Sequence, residues 1–162
     1  MITLHKNLHF IAAGFGSGWL PKAPGTWGSL AALAPGWFII EQFGVNMLLI
    51  SSLILLGVGC YVCMLVLPAL DSDDPGWVVI DEWVGQWVCT AIMALFIPLD
   101  LILLSVSFLM FRLFDILKPW PVSWLEKVGP EWWAIMADDV GAGVMGGLLG
   151  ILIMSVFAGM MF

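Results

Sequence analysis

The sequence predicts an all-α fold: a polytopic membrane helical bundle with four to five membrane helices plus an interfacial amphipathic helix. Three observations predict it. Hydrophobic residues make up 62% of the chain and charged residues 10%, with a mean hydropathy of +1.06, too apolar for a soluble domain. Apolar runs recur along the chain, divided by short links rich in Gly, Pro and Asp. One of them, Val45 to Leu67, continues unbroken for about 23 residues, enough to cross a ~30 Å hydrocarbon layer as a helix. Residues 1–162 read as one membrane-embedded domain.

Taken in order, Met1 to Trp27 mixes apolar and polar residues without a clear span, and no cleavable signal peptide is expected there. His5 and His9 are four apart, a spacing that suits an interfacial helix face. The stretch from Gly14 to Ser29 is dense in Gly, Pro, Ser and Thr and leads into an apolar segment. Such a loop can turn backbone N–H groups toward one point at a helix start, a phosphate cradle with Lys22 as its charge. It is not a Walker A loop, because the Gly-Lys-Ser/Thr order is absent.

The first apolar segment, Thr26 to Ile40, gives only ~22 Å of helix, and Pro35-Gly36 is expected to kink it. Val45 to Leu67 is the second. A third runs from Val78 to Ile97 and a fourth from Leu101 to Leu117. Pro119 to Ala137 carries Trp120, Trp124, Trp132 and Trp133 among Glu126, Lys127 and Glu131, the pattern of a helix lying in the headgroup layer. Asp138-Asp139 then opens the last span, Val140 to about Met161. Cys60, Cys63 and Cys89 lie inside apolar runs and read as small core hydrophobes.

If these spans alternate in direction, every basic residue, Lys6, Lys22, Arg112, Lys118 and Lys127, falls on one side. The positive-inside rule makes that side cytoplasmic. The net charge of −7 comes from acids gathered in knots, Asp71-Asp73-Asp74, Asp81-Glu82 and Asp138-Asp139, with Asp115 separate, and no basic patch suits nucleic acid. Two acid pairs and the helically spaced Arg112, Asp115 and Lys118 therefore meet at one membrane surface. Asp81 and Asp139 each have a glycine four residues on, Gly85 and Gly143, leaving room for a neighbouring helix and an ion. Oxygen-only ligands favour Mg²⁺, Mn²⁺ or Ca²⁺ over zinc. A cation beside Arg112, Lys118 and Lys22 suits a phosphate group, and at the headgroup plane that phosphate belongs to a phospholipid.

The motifs Gly16-Ser17-Gly18, Pro24-Gly25-Thr26-x-Gly28-Ser29-Leu30, Asp81-Glu82-x-x-Gly85, Phe111-Arg112-x-Phe114-Asp115-x-x-Lys118-Pro119-x-Pro121 and Asp138-Asp139-x-x-Ala142-Gly143 occur in that order. Together they resemble bacterial phosphatidylglycerophosphatase A over about His9 to Gly147. The resemblance implies an all-helical, Mg²⁺-dependent phosphatase of the inner membrane, facing the cytoplasm, that converts phosphatidylglycerophosphate to phosphatidylglycerol. It implies metal binding by Asp81, Glu82, Asp138 and Asp139, and phosphate contact by Arg112, Lys118, Lys22, Ser17 and Thr26. Asp81, Asp115 and Asp139 are its catalytic candidates, with Asp115 either orienting the two bases or acting as nucleophile or base. Two rival readings are a CDP-alcohol phosphotransferase, whose Asp-Gly-x-x-Ala-Arg run is missing, and a divalent-cation channel or transporter, which needs charges at mid-depth.

Overall fold

The computed structural model describes residues 2–70 and 75–160, with side chains for 6–70 and 75–157. The side chain of His5 and the Asp71-Asp73-Asp74 knot lie outside the described residues. Among the described residues there are seven α-helices and no strand: α1 (Ile2–Ala12), α2 (Pro24–Phe43), α3 (Val45–Val66), α4 (Ile80–Ala94), α5 (Leu101–Leu117), α6 (Val122–Leu125) and α7 (Glu131–Met160). The all-α expectation holds.

Local chemistry sets these boundaries. Asp100 caps α5, its carboxylate accepting the Leu103 N–H at 2.7 Å, and Pro119 forbids continuation beyond Lys118. Gly44, at φ 84, turns the chain between α2 and α3. Pro24 sits at the start of α2, where its missing N–H costs nothing.

Helix α4 is the central element and packs against α2, α3, α5 and α7. Its contact with α7 brings backbone to backbone: a Cβ added to Gly143 would strike the Gly85 carbonyl oxygen, and one added to Gly85 would meet the Phe111 ring and lie 2.6 Å from the Asp139 carbonyl oxygen. Further along α7, Gly146 rests on the α5 backbone at Met110 and Gly150 on Met93. These glycines form the seam of the bundle, and Gly85 and Gly143 admit the close helix approach expected of them.

The count of four to five spans is met only in part. Among the described residues two helices are long and apolar enough to cross a membrane: α3 with its 3₁₀ extension to Ala69, 25 residues, and α7 as far as Phe157, 27 residues. The reasons differ among the others. Helix α4 has 15 residues and α5 has 17, whereas α2 has 20 but begins Pro-Gly-Thr-Trp-Gly-Ser. The interfacial stretch is corrected. Its helical part in the headgroup-like segment is the single turn α6, and α7 begins at Glu131, directly after Gly129-Pro130, not at Asp138.

Large apolar side chains remain exposed on the outer faces, among them Leu53, Ile54 and Tyr61 of α3, Ile102, Leu109 and Ile116 of α5, and Leu148, Leu152 and Val156 of α7. A belt of this extent is what a hydrocarbon solvent covers.

Candidate active site

Three helices deliver charged side chains to one cavity of about 300 Å³. Asp81 and Glu82 come from the first turn of α4, Arg112 and Asp115 from the last turns of α5, Lys118 from its C-cap, and Asp138 and Asp139 from the third turn of α7; Gly25 at the start of α2 forms part of the wall. The starts of α2, α4 and α7 and the end of α5 therefore share one end of the bundle, which is the alternating arrangement expected of the spans.

The cavity wall is acidic and its aspartates are largely buried. Asp81, Asp138 and Asp139 are 5%, 3% and 4% exposed, and five carboxylates face only two bases. Like charges crowded into low dielectric repel strongly unless a cation joins them. Within the group, Asp81, Glu82 and Asp139 offer ligand oxygens that all lie within 4.8 Å of one another. Glu82 Oε2 and Asp139 Oδ2 are buried without a hydrogen-bond partner. Three hard oxygen donors, two of them with an unpartnered oxygen, fit a metal ion of the oxygen-preferring class.

Asp138, the neighbour of Asp139, is turned elsewhere. It accepts a hydrogen bond from Lys118 Nζ at 2.8 Å, while Lys118 also reaches Glu126 at 2.6 Å. Burial alone would lower the Lys118 pKa, but these two carboxylates win and hold it above the ordinary lysine value. The sign is that of a raised base: while its carboxylate partners stay ionised, the lysine's share of the stabilisation is full below the ordinary lysine value and is lost as pH climbs through the raised one.

Arg112 forms an ion pair with Asp115, lies 3.9 Å from Glu82, and donates a long 3.4 Å bond to Ser29 Oγ. Its Nε is buried and has no hydrogen-bond partner. Ser29 in turn donates to the Gly25 carbonyl at 2.8 Å, tying Arg112 to the start of α2.

The structure does not bring all the expected phosphate ligands here. Ser17 is committed to the fold, donating to the Gly14 carbonyl at 2.7 Å and accepting from Trp83 Nε1 at 3.2 Å. Lys22 is exposed, and neither it nor Thr26 borders the cavity. The sequence reading missed Gly25 and Ser29 as wall and support. Their i, i+4 spacing directly after Pro24, a helix-start signal, was the available clue.

Comparison with known proteins then bears on these residues. Residues 10–154 match the family model described as Phosphatidylglycerophosphatase A. A protein of Haemophilus influenzae named Phosphatidylglycerophosphatase A is 36% identical over 143 residues, covering 88% of this chain and 86% of its own. One of the same name from Escherichia coli is 38% identical over 147 residues, 89% of this chain and 81% of its own. A Bacteroides thetaiotaomicron protein, provisionally named a phosphatidylinositol-3-phosphatase, is 34% identical over 149 residues, 83% of this chain and 85% of its own. No solved structure matches the chain.

Proposed function

The chain belongs to the phosphatidylglycerophosphatase A family and is a phosphatase, and we propose that its carboxylate cavity removes the terminal phosphate of phosphatidylglycerophosphate with Mg²⁺, at the cytoplasmic face of a bacterial inner membrane. The observation that carries the reading is the meeting, in one buried cavity, of three carboxylates able to hold a metal with an arginine whose Nε lacks a partner.

Asp81, Glu82 and Asp139 would hold Mg²⁺, which when bound offsets phosphate charge and polarises the ester. Arg112 is the phosphate clamp, kept in place by Asp115 and Ser29. Hydrolysis forms a bond from water oxygen to phosphorus and breaks the bond to the glycerol oxygen; one proton leaves the water and one reaches the glycerol. Asp115, outside the metal-holding trio, is the carboxylate assigned to that transfer. Lys118 neutralises Asp138 and contributes positive potential at the cavity wall.

The multi-pass arrangement is part of the proposal. Helices α2, α4 and α5 complete the membrane bundle around α3 and α7, with the exposed apolar side chains toward lipid and the site at the end that carries the basic links. Both activities for which the relatives are named cut a phosphate monoester from a polyol that a phosphodiester joins to diacylglycerol, so the headgroup chemistry is shared. An ion pathway is not favoured, because the charges gather at one end of the bundle.

The test uses inverted inner-membrane vesicles carrying this chain and phosphatidylglycerophosphate. Phosphate release should require Mg²⁺ and stop on adding a membrane-impermeant chelator. Absence of release would reject the activity; release indifferent to the chelator would reject the metal or the side.

A further inference from the structure

A second cavity, about 360 Å³, opens beside the first and shares three wall residues with it, Lys118, Ile135 and Asp138. Its volume falls within the range of small-molecule sites. The remaining wall comes from the α6–α7 link, where Glu126, Lys127 and Gly129 line it, and from Glu131 and Ala134 at the start of α7. Its charges are unequally engaged. Lys118, Glu126 and Asp138 satisfy one another, whereas Lys127 and Glu131 form no ion pair among the described residues. The hydrolytic reaction has no use for either of these two.

Resting on the reading above, we propose that this second cavity is the subsite for the rest of the lipid headgroup, with Lys127 recognising the bridging phosphodiester and Glu131 accepting a polyol hydroxyl. A phosphate monoester seated against Arg112 leaves its polyol and diester to be housed next door, and the shared Lys118–Asp138 wall puts the two compartments in the right adjacency. The start of α7 adds the positive end of a helix dipole on the same side. Exposed Trp124 and Trp133 flank the link, and tryptophan is a residue type that favours the headgroup layer. The substrate class is therefore a lipid that carries a monoester and a diester on one polyol, and Lys127 discriminates it from a bare phosphate.

The experiment compares wild type, Lys127→Gln and Lys127→Arg, purified in detergent with Mg²⁺. Losing one charge-assisted contact predicts a rise of about fivefold to tenfold in KM for phosphatidylglycerophosphate in Lys127→Gln, with kcat within about twofold and rescue by arginine. Inhibition by inorganic phosphate, which needs only the first cavity, should not change. An unaltered KM overturns the subsite, as does weakened phosphate inhibition in step with KM, since Lys127 would then act on the catalytic cavity. A wild type inactive on this lipid sinks the functional reading itself, a separate result.

Discussion

Lys118 stands at φ 42, a left-handed backbone at the end of α5 where glycine is the less strained residue. The strain is tolerated because its ammonium bridges Glu126 and the buried Asp138. Lys118→Gly should therefore relax the backbone yet leave Asp138 uncompensated at the cavity wall, and turnover should drop at least about tenfold. Steady-state kinetics checks this, with a thermal melt to show that the fold persists; wild-type turnover in the variant would remove Lys118 from the account. At this scale the Arg112–Asp115 pair was legible, because i, i+3 spacing on a helix forces the contact. The division of labour between Asp138 and Asp139 was not. Adjacent residues point about 100° apart, so which one joins Asp81 and Glu82 depends on how α7 is rotated against α4, a tertiary fact. Ser17, Lys22 and Thr26 sit in or beside a loop, which has no periodicity from which to read direction.

Among the elements, α5 was read residue for residue, since Asp100 and Lys118-Pro119 mark its ends chemically. The start of α7 was misread because its first two turns carry Glu131, Trp132 and Trp133, which resemble an interfacial helix, while the stop signal Gly129-Pro130 was the better guide. The consequence is functional: Asp138 and Asp139 lie two turns inside a helix, about 10–12 Å from its start, so the acids are held by rigid structure. What fixes their distance from Asp81 is the Gly85–Gly143 contact. Gly143→Ala would press a methyl group into the Gly85 carbonyl and separate α4 from α7, with a cost of about 1–3 kcal/mol. A lower melting temperature together with reduced kcat is expected. A variant as stable and active as wild type would mean that the seam does not set the site.

For the whole molecule, α4 is the organising axis: its flanks bury Ile80, Val84 and Trp87, and its first turn supplies two of the acids. The sequence conveyed the convergence of charges through sidedness alone, because alternating helices return every second link to the same surface. It did not convey helix lengths relative to a bilayer, which depend on where the chain breaks within Gly- and Pro-containing segments such as Pro75–Ile80 and Pro24–Ser29. The central claim is that Asp81, Glu82 and Asp139, remote in sequence, hold one divalent cation between them. Titration of the purified protein with Mn²⁺, read by electron paramagnetic resonance as the free-ion signal disappears, addresses it most directly. Wild type should take up the ion in competition with Mg²⁺, and Asp81→Asn and Asp139→Asn should each weaken uptake by at least about tenfold. Equal uptake by wild type and both variants would contradict the account.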